Sequence, residues 1–79
     1  SMSEGLMLAM TQKGITREHA YKLVQRNAMQ VWKTNEDFEV ILNKDKEIKK
    51  YLSNKEIKSL LDFNHALKKT DFIFKKVFK

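Results

Sequence analysis

From Ala20 to Trp32 the chain reads AYKLVQRNAMQVW, an unbroken run with neither glycine nor proline. Placed at about 100° per residue, Ala20, Tyr21, Leu23, Val24, Ala28, Val31 and Trp32 fall within one half of a helical circumference. The segment therefore predicts a helix with one apolar side, and any fold of the chain has to bury part of that side. Asn27 falls in the same half. A carboxamide between Leu23 and Val31 is either a buried group with hydrogen-bond partners or a polar group waiting for a ligand.

The flanking residues supply further helices. Leu6, Met7, Ala9 and Met10 recur at helical spacing after Ser3 and Glu4, predicting a first helix from about Ser3 to Lys13 that stops at Gly14. Thr16 is placed to cap the second helix, with Glu18 in its first turn, and that helix runs to about Lys33. Asn35 is expected to cap a third helix that buries Phe38, Ile41 and Leu42 and ends near Asn43. Asp45 caps a short turn carrying Ile48, Tyr51 and Leu52. Ser53 and Glu56 form a capping-box pattern ahead of Ile57, Leu60 and Leu61. Asp62 to Asn64 breaks the pattern, Ala66 and Leu67 give one more turn, and Thr70 with Asp71 opens a last helix containing Phe72, Ile73, Phe74, Val77 and Phe78. The alternation of Phe72, Phe74 and Lys76 has no second strand to pair with. The expected fold class is all-α, a compact bundle of about five to six short helices with no sheet, and residues 1–79 are expected to form a single domain.

A chain of 79 residues buries only about 60% of the surface it exposes when unfolded, so its stability is modest. It has no cysteine, which removes disulfides and thiolate metal sites. The N-terminus lacks the pattern of a signal peptide, and no apolar run approaches the roughly 18 residues that span a bilayer. A cytoplasmic location with no membrane partner is expected. Ser1 ahead of Met2 reads as a cloning remnant followed by a start inside a longer gene, which suggests a fragment.

The net charge of +6 lies entirely in the second half: residues 1–43 hold five basic and five acidic side chains, residues 44–79 eleven and five. All eleven are lysine, and the two arginines lie in the neutral half. Lysines on helices form a solvated face more often than a nucleic-acid site, since base readout leans on arginine, asparagine and glutamine.

Catalysis needs a titratable group beside a second group that tunes it, and the chain offers few. His19 faces the polar side of its helix and His65 lies far along the chain among lysines. Neither has metal-ligand spacing. Gly5 and Gly14, the only glycines, make no phosphate loop, and Ser3, Ser53 and Ser59 have no base near them in sequence. The aromatics are expected in the core rather than as a stacking platform. Phe72 to Phe78 has more apolar residues than one helical face buries, and could dock on a partner helix. No catalytic, substrate-binding or metal residue is assigned, and no cofactor is expected.

The stretch REHAYKLVQRNAMQVW, Arg17 to Trp32, resembles the C-terminal domain of adenylosuccinate lyase, where an Arg, Ala-Tyr, Val-Gln-Arg and then small and aromatic residues share one helix. SEGLMLAM resembles the preceding helix, GIT the capped turn, YLSNKEIKSLLD the Leu-Ser with acidic and leucine positions, and ALKKTDFIFKKVF the closing pattern. The resemblance covers essentially the whole chain. It departs from the commoner pattern at Asn64 to Ala66, and His65 does not match the family's catalytic histidine.

The resemblance implies the C-terminal structural domain of a homotetrameric lyase of purine biosynthesis. That enzyme releases fumarate from adenylosuccinate, leaving AMP, and from the succinylated carboxamide ribotide, by a β-elimination. Its catalytic serine loop and histidine belong to earlier domains, so the chain alone is expected to be inactive, with the remaining domains and the tetramer as partners. Arg17, Tyr21, Gln25, Arg26, Asn27 and Trp32 are then structural residues that tie the second helix to its neighbours, and nucleic acid is not a partner. The competing expectation is a small basic helical module that binds nucleic acid or an acidic protein.

Overall fold

The computed structural model describes residues 2–62. The turn expected at Ala66 and Leu67, the last helix with its docking stripe from Phe72 to Phe78, and His65 lie outside the described residues.

The first helix, α1 (Met2–Gln12), ends in a turn in which Gly14 takes φ +104°, a conformation open to glycine but strained for other residues. Thr16 then caps α2 (Arg17–Thr34), its hydroxyl accepting from the His19 N–H at 3.0 Å. This 18-residue helix is the longest described element, and α1 and the helix that follows it both pack against it.

The junction that follows differs from the expected one. Asn35 does not open the third helix; it closes α2 in the left-handed conformation, φ 60°, and its N–H donates to the Val31 carbonyl at 2.8 Å. Asparagine tolerates that conformation better than other non-glycine residues. Capping of α3 (Phe38–Lys44) falls to Asp37, whose carboxylate accepts from the Glu39 N–H at 2.8 Å. Asp45 caps α4 (Lys46–Tyr51), as its position predicted, by accepting from the N–H groups of Glu47 and Ile48. Residues 54–62 form a further helix, α5. Its capping box is complete: the Glu56 N–H donates to the Ser53 hydroxyl at 3.1 Å, and the Ser53 N–H donates to the Glu56 carboxylate at 3.0 Å. The described residues thus form an all-helical bundle with no strand.

Each element contributes to one core. Leu6, Met7 and Met10 from α1, Ala20, Leu23 and Val24 from α2, Leu42, Ile48 and Ile57 from α3, α4 and α5, and Leu52 between α4 and α5 are buried together. Ile15, Phe38, Tyr51, Leu60 and Leu61 close over them. Removing one large aliphatic side chain from water is worth about 1.5–3 kcal/mol, so this cluster sets the order of α1 on α2, α2 on α3 and α3 on α4. A polar tie fastens the far end. Lys13, in the turn after α1, donates to the Tyr51 carbonyl at 2.8 Å and to the Glu56 carboxylate at 2.9 Å. Among the described residues no helix is long and apolar enough to cross a membrane.

Candidate functional site

The polar groups of α2 converge on Asp45. Asn27 is buried between Leu23 and the start of α4, and its side-chain N–H group donates to the Leu23 carbonyl at 2.7 Å and to Asp45 Oδ2 at 2.8 Å. Arg26, the preceding residue, turns its guanidinium toward the same carboxylate and donates through Nη2 to both oxygens, at 2.9 and 2.7 Å. With the Glu47 and Ile48 N–H groups at 3.0 and 3.3 Å, the carboxylate accepts from four groups at once while also serving as the cap of α4. Glu47 extends the array. Its carboxylate lies 3.7 Å from Arg26 and 2.6 Å from His19 Nε2.

The electrostatics follow from these contacts. Burial of Asp45 raises its carboxyl pKa, but the hydrogen bonds from Arg26, Asn27 and the two backbone N–H groups outweigh burial and hold it below the ordinary value. The Arg26 guanidinium is pushed up in turn, mainly by its hydrogen bond to Asp45, against a smaller opposing effect of desolvation. At the Lys13 tie, the Ser53 N–H and then the Lys13 ammonium hold the Glu56 carboxyl low. A general base needs a free lone pair and a pKa near the working pH. Asp45 has a lowered pKa and its oxygens are taken, so it is chemically a tie.

An open depression between α2 and α3 runs beside this joint, lined by Arg26, Asn27, Gln30, Thr34, Glu36, Ile41, Lys44 and Asp45. Its charges are paired with one another, Arg26 with Asp45 and Lys44 with Glu36 at 3.0 Å, which leaves little field to hold an anion. Among the described residues, every buried side-chain nitrogen and oxygen has a hydrogen-bond partner. No group of three histidine, cysteine, aspartate or glutamate side chains among them is placed to hold a metal ion.

The six residues singled out in the sequence separate into two sets. Arg26 and Asn27 meet in the joint. Arg17 lies apart, 3.7 Å from Glu4 of α1 on an exposed edge. Tyr21, Gln25 and Trp32 are exposed, and for the two aromatics this corrects the expectation of core packing: Tyr21 keeps 53% and Trp32 87% of its surface in solvent. The buried arc of α2 is narrower than its apolar half, because α1 and α3 cover the side carrying Ala20, Leu23, Val24 and Asn27 and leave the neighbouring edge uncovered. Sequence reading recognised Asp45 only as a cap. It missed the long-range acceptor for Arg26 and Asn27, and the His19–Glu47 contact, since these pairs stand 18 to 28 residues apart. The available signal was the adjacency of a cation and a carboxamide beside an apolar arc, a pair that one anion can satisfy.

Residues 1–77 match the family model described as adenylosuccinate lyase C-terminus. The chain is 41% identical over 76 residues to the adenylosuccinate lyase of Aquifex aeolicus, covering 96% of this chain and 17% of that protein. It is 39% identical over 87 residues to that of Helicobacter pylori, covering 98% and 20%, and 38% identical over 74 residues to that of Thermotoga maritima, covering 94% and 17%. The chain thus spans about a fifth of the length of these curated relatives. No solved structure gives a significant match.

Proposed function

Because the chain belongs to the family of adenylosuccinate lyase C-termini, we propose that residues 1–79 are the C-terminal helical domain of a cytoplasmic, homotetrameric adenylosuccinate lyase. The parent enzyme would release fumarate from adenylosuccinate, leaving AMP, and from the succinylated carboxamide ribotide of purine biosynthesis. Such a β-elimination takes a proton from carbon with a base, breaks the C–N bond, and returns a proton to the leaving nitrogen from an acid, while cationic groups hold phosphate and carboxylates.

On this reading the 79 residues supply none of those groups. The supporting observation is the joint at Asp45, where the buried carboxamide of Asn27 and the guanidinium of Arg26, one of the two arginines, both donate to a single carboxylate. Arg17, Tyr21, Gln25, Arg26, Asn27 and Trp32 act as structural residues, and the partners are the remaining domains of the parent and its other subunits.

Two measurements test this. The 79-residue chain mixed with adenylosuccinate should release no fumarate above background, and turnover by the chain alone would move the active site into it. In the parent lyase, Asp45→Ala should lower the melting temperature and leave kcat/KM per folded subunit close to that of the unchanged enzyme. A folded variant that has lost turnover would overturn the structural assignment.

A further inference from the structure

Among the described residues, three exposed features outside the joint stand as candidate contact surfaces. Leu8 and Val40 are exposed singly on α1 and α3, which is ordinary for a small domain. The shallow groove beside Glu4, Met7 and Arg17 has its one cation beside Glu4 and a second carboxylate, Glu18, on its wall, and nothing in it points to a ligand. The third feature is continuous.

Along α2, Tyr21, Gln25, Ala28, Met29 and Trp32 occupy one edge of the helix, about 100° wide and about 16 Å long. Tyr21, Met29 and Trp32 are 53%, 51% and 87% exposed. The edge carries no charge over these turns, although Lys22, Arg26 and Lys33 lie on the adjoining face. An uncharged strip with a nearly bare tryptophan favours neither phosphate nor an acidic peptide, and large exposed apolar strips mark contact surfaces. An indole on a helix edge fits the ridges and grooves of a second helix.

We propose that this edge is the docking face for an apolar helix in the remaining polypeptide of the parent lyase. The proposal rests on the family reading given above. The relatives extend far beyond the matched region, which makes up 17% to 20% of their length, so most of their chain is available to cover the strip. The side of α2 opposite to solvent is already filled by α1 and α3, which leaves this edge as the apolar side of α2 open to a further helix. Gln25, also exposed, sits in the middle of the strip.

Hydroxyl-radical footprinting read by mass spectrometry on peptides containing Trp32 and Met29 tests the assignment, because both side chains oxidise readily when exposed. In the dilute 79-residue chain both should react strongly, and in the parent lyase both should be protected several-fold. Equal reactivity in the two proteins overturns the proposal. Protection already present in the dilute chain assigns the strip to the chain's own segments and overturns it too, and protection that grows with the concentration of the chain assigns it to a second copy. Fumarate release by the same parent preparation is scored separately. A parent that is protected at Trp32 but inactive leaves the docking face standing and removes the proposed activity, while an active parent with Trp32 open does the reverse.

Discussion

Asn27 is where a polar residue in an apolar arc had to be either satisfied or waiting. Its amide is satisfied twice, by the Leu23 carbonyl and the Asp45 carboxylate. Asn27→Leu keeps the branched shape and the number of side-chain heavy atoms but strips Asp45 of one donor and leaves the Leu23 carbonyl with one bond fewer. The expected cost is about 1–3 kcal/mol, read from a urea melt against the parent chain; equal midpoints would place the side chain in solvent. Asp45 carries a pH signature. Its folded pKa lies below the ordinary 3.8, so its contribution to stability is complete above the unfolded value and is lost as pH falls through the folded one. Asp45→Asn keeps a good capping side chain and removes the titration. As pH falls below the ordinary carboxylate range its stability should fall less steeply than that of the parent, and Glu56, also held low, contributes to the slope that remains. Identical acid limbs in thermal melts would show that the carboxylate is not ionised preferentially in the fold. The burial of Asn27 was legible from its place in the helical arc. The identity of its partner was not, because nothing local links Asn27 to a carboxylate 18 residues away.

At the level of elements, caps were the most legible part of the fold, since each is decided by side chains within three residues of the helix start. Thr16, Asp45 and the Ser53–Glu56 pair sit where their spacing placed them. The error at Asn35 arose from two cap-forming residues standing two apart: both Asn35 and Asp37 suit an N-cap, but only asparagine also suits the left-handed position that ends α2. That assignment has a direct test. Asn35 adopts φ 60°, so Asn35→Gly should leave stability unchanged or raise it slightly, whereas Asn35→Ala should cost about 1 kcal/mol. If alanine and glycine melt together, α2 does not end in a left-handed residue in solution. The aromatic edge of α2 was misread for a different reason. Period alone says which residues share a side of a helix, but how much of that side is covered depends on how many neighbouring helices reach it.

For the whole molecule the remaining issue is the charge of +6, which by itself would suit a nucleic-acid partner. The fold argues against specific recognition, because sequence readout needs arginine, asparagine or glutamine free to reach base edges, and both arginines are engaged. Arg26 is fixed on Asp45 and Arg17 lies beside Glu4, while Asn27 is buried in the joint. Several lysines are partnered as well: Lys13 with Glu56, Lys44 with Glu36 and Lys58 with Asp62. Among the described residues the cations that remain are mostly lysine ammonium groups on helix surfaces, able to attract a phosphate backbone but not to read it, and the exposed carboxamide of Gln25 stands on the uncharged edge of α2. Fluorescence anisotropy with a labelled duplex should therefore show at most weak binding near 50 mM salt that disappears by about 200 mM, with the same curve for a duplex of scrambled sequence. Reversing the charge of an unpaired lysine such as Lys50 should lower the residual binding, and the same change at Lys44, already held by Glu36, should lower it less. Binding at the higher salt that distinguishes the two duplexes would require arginine or carboxamide groups outside the joint, and would favour the independent basic module over a structural domain.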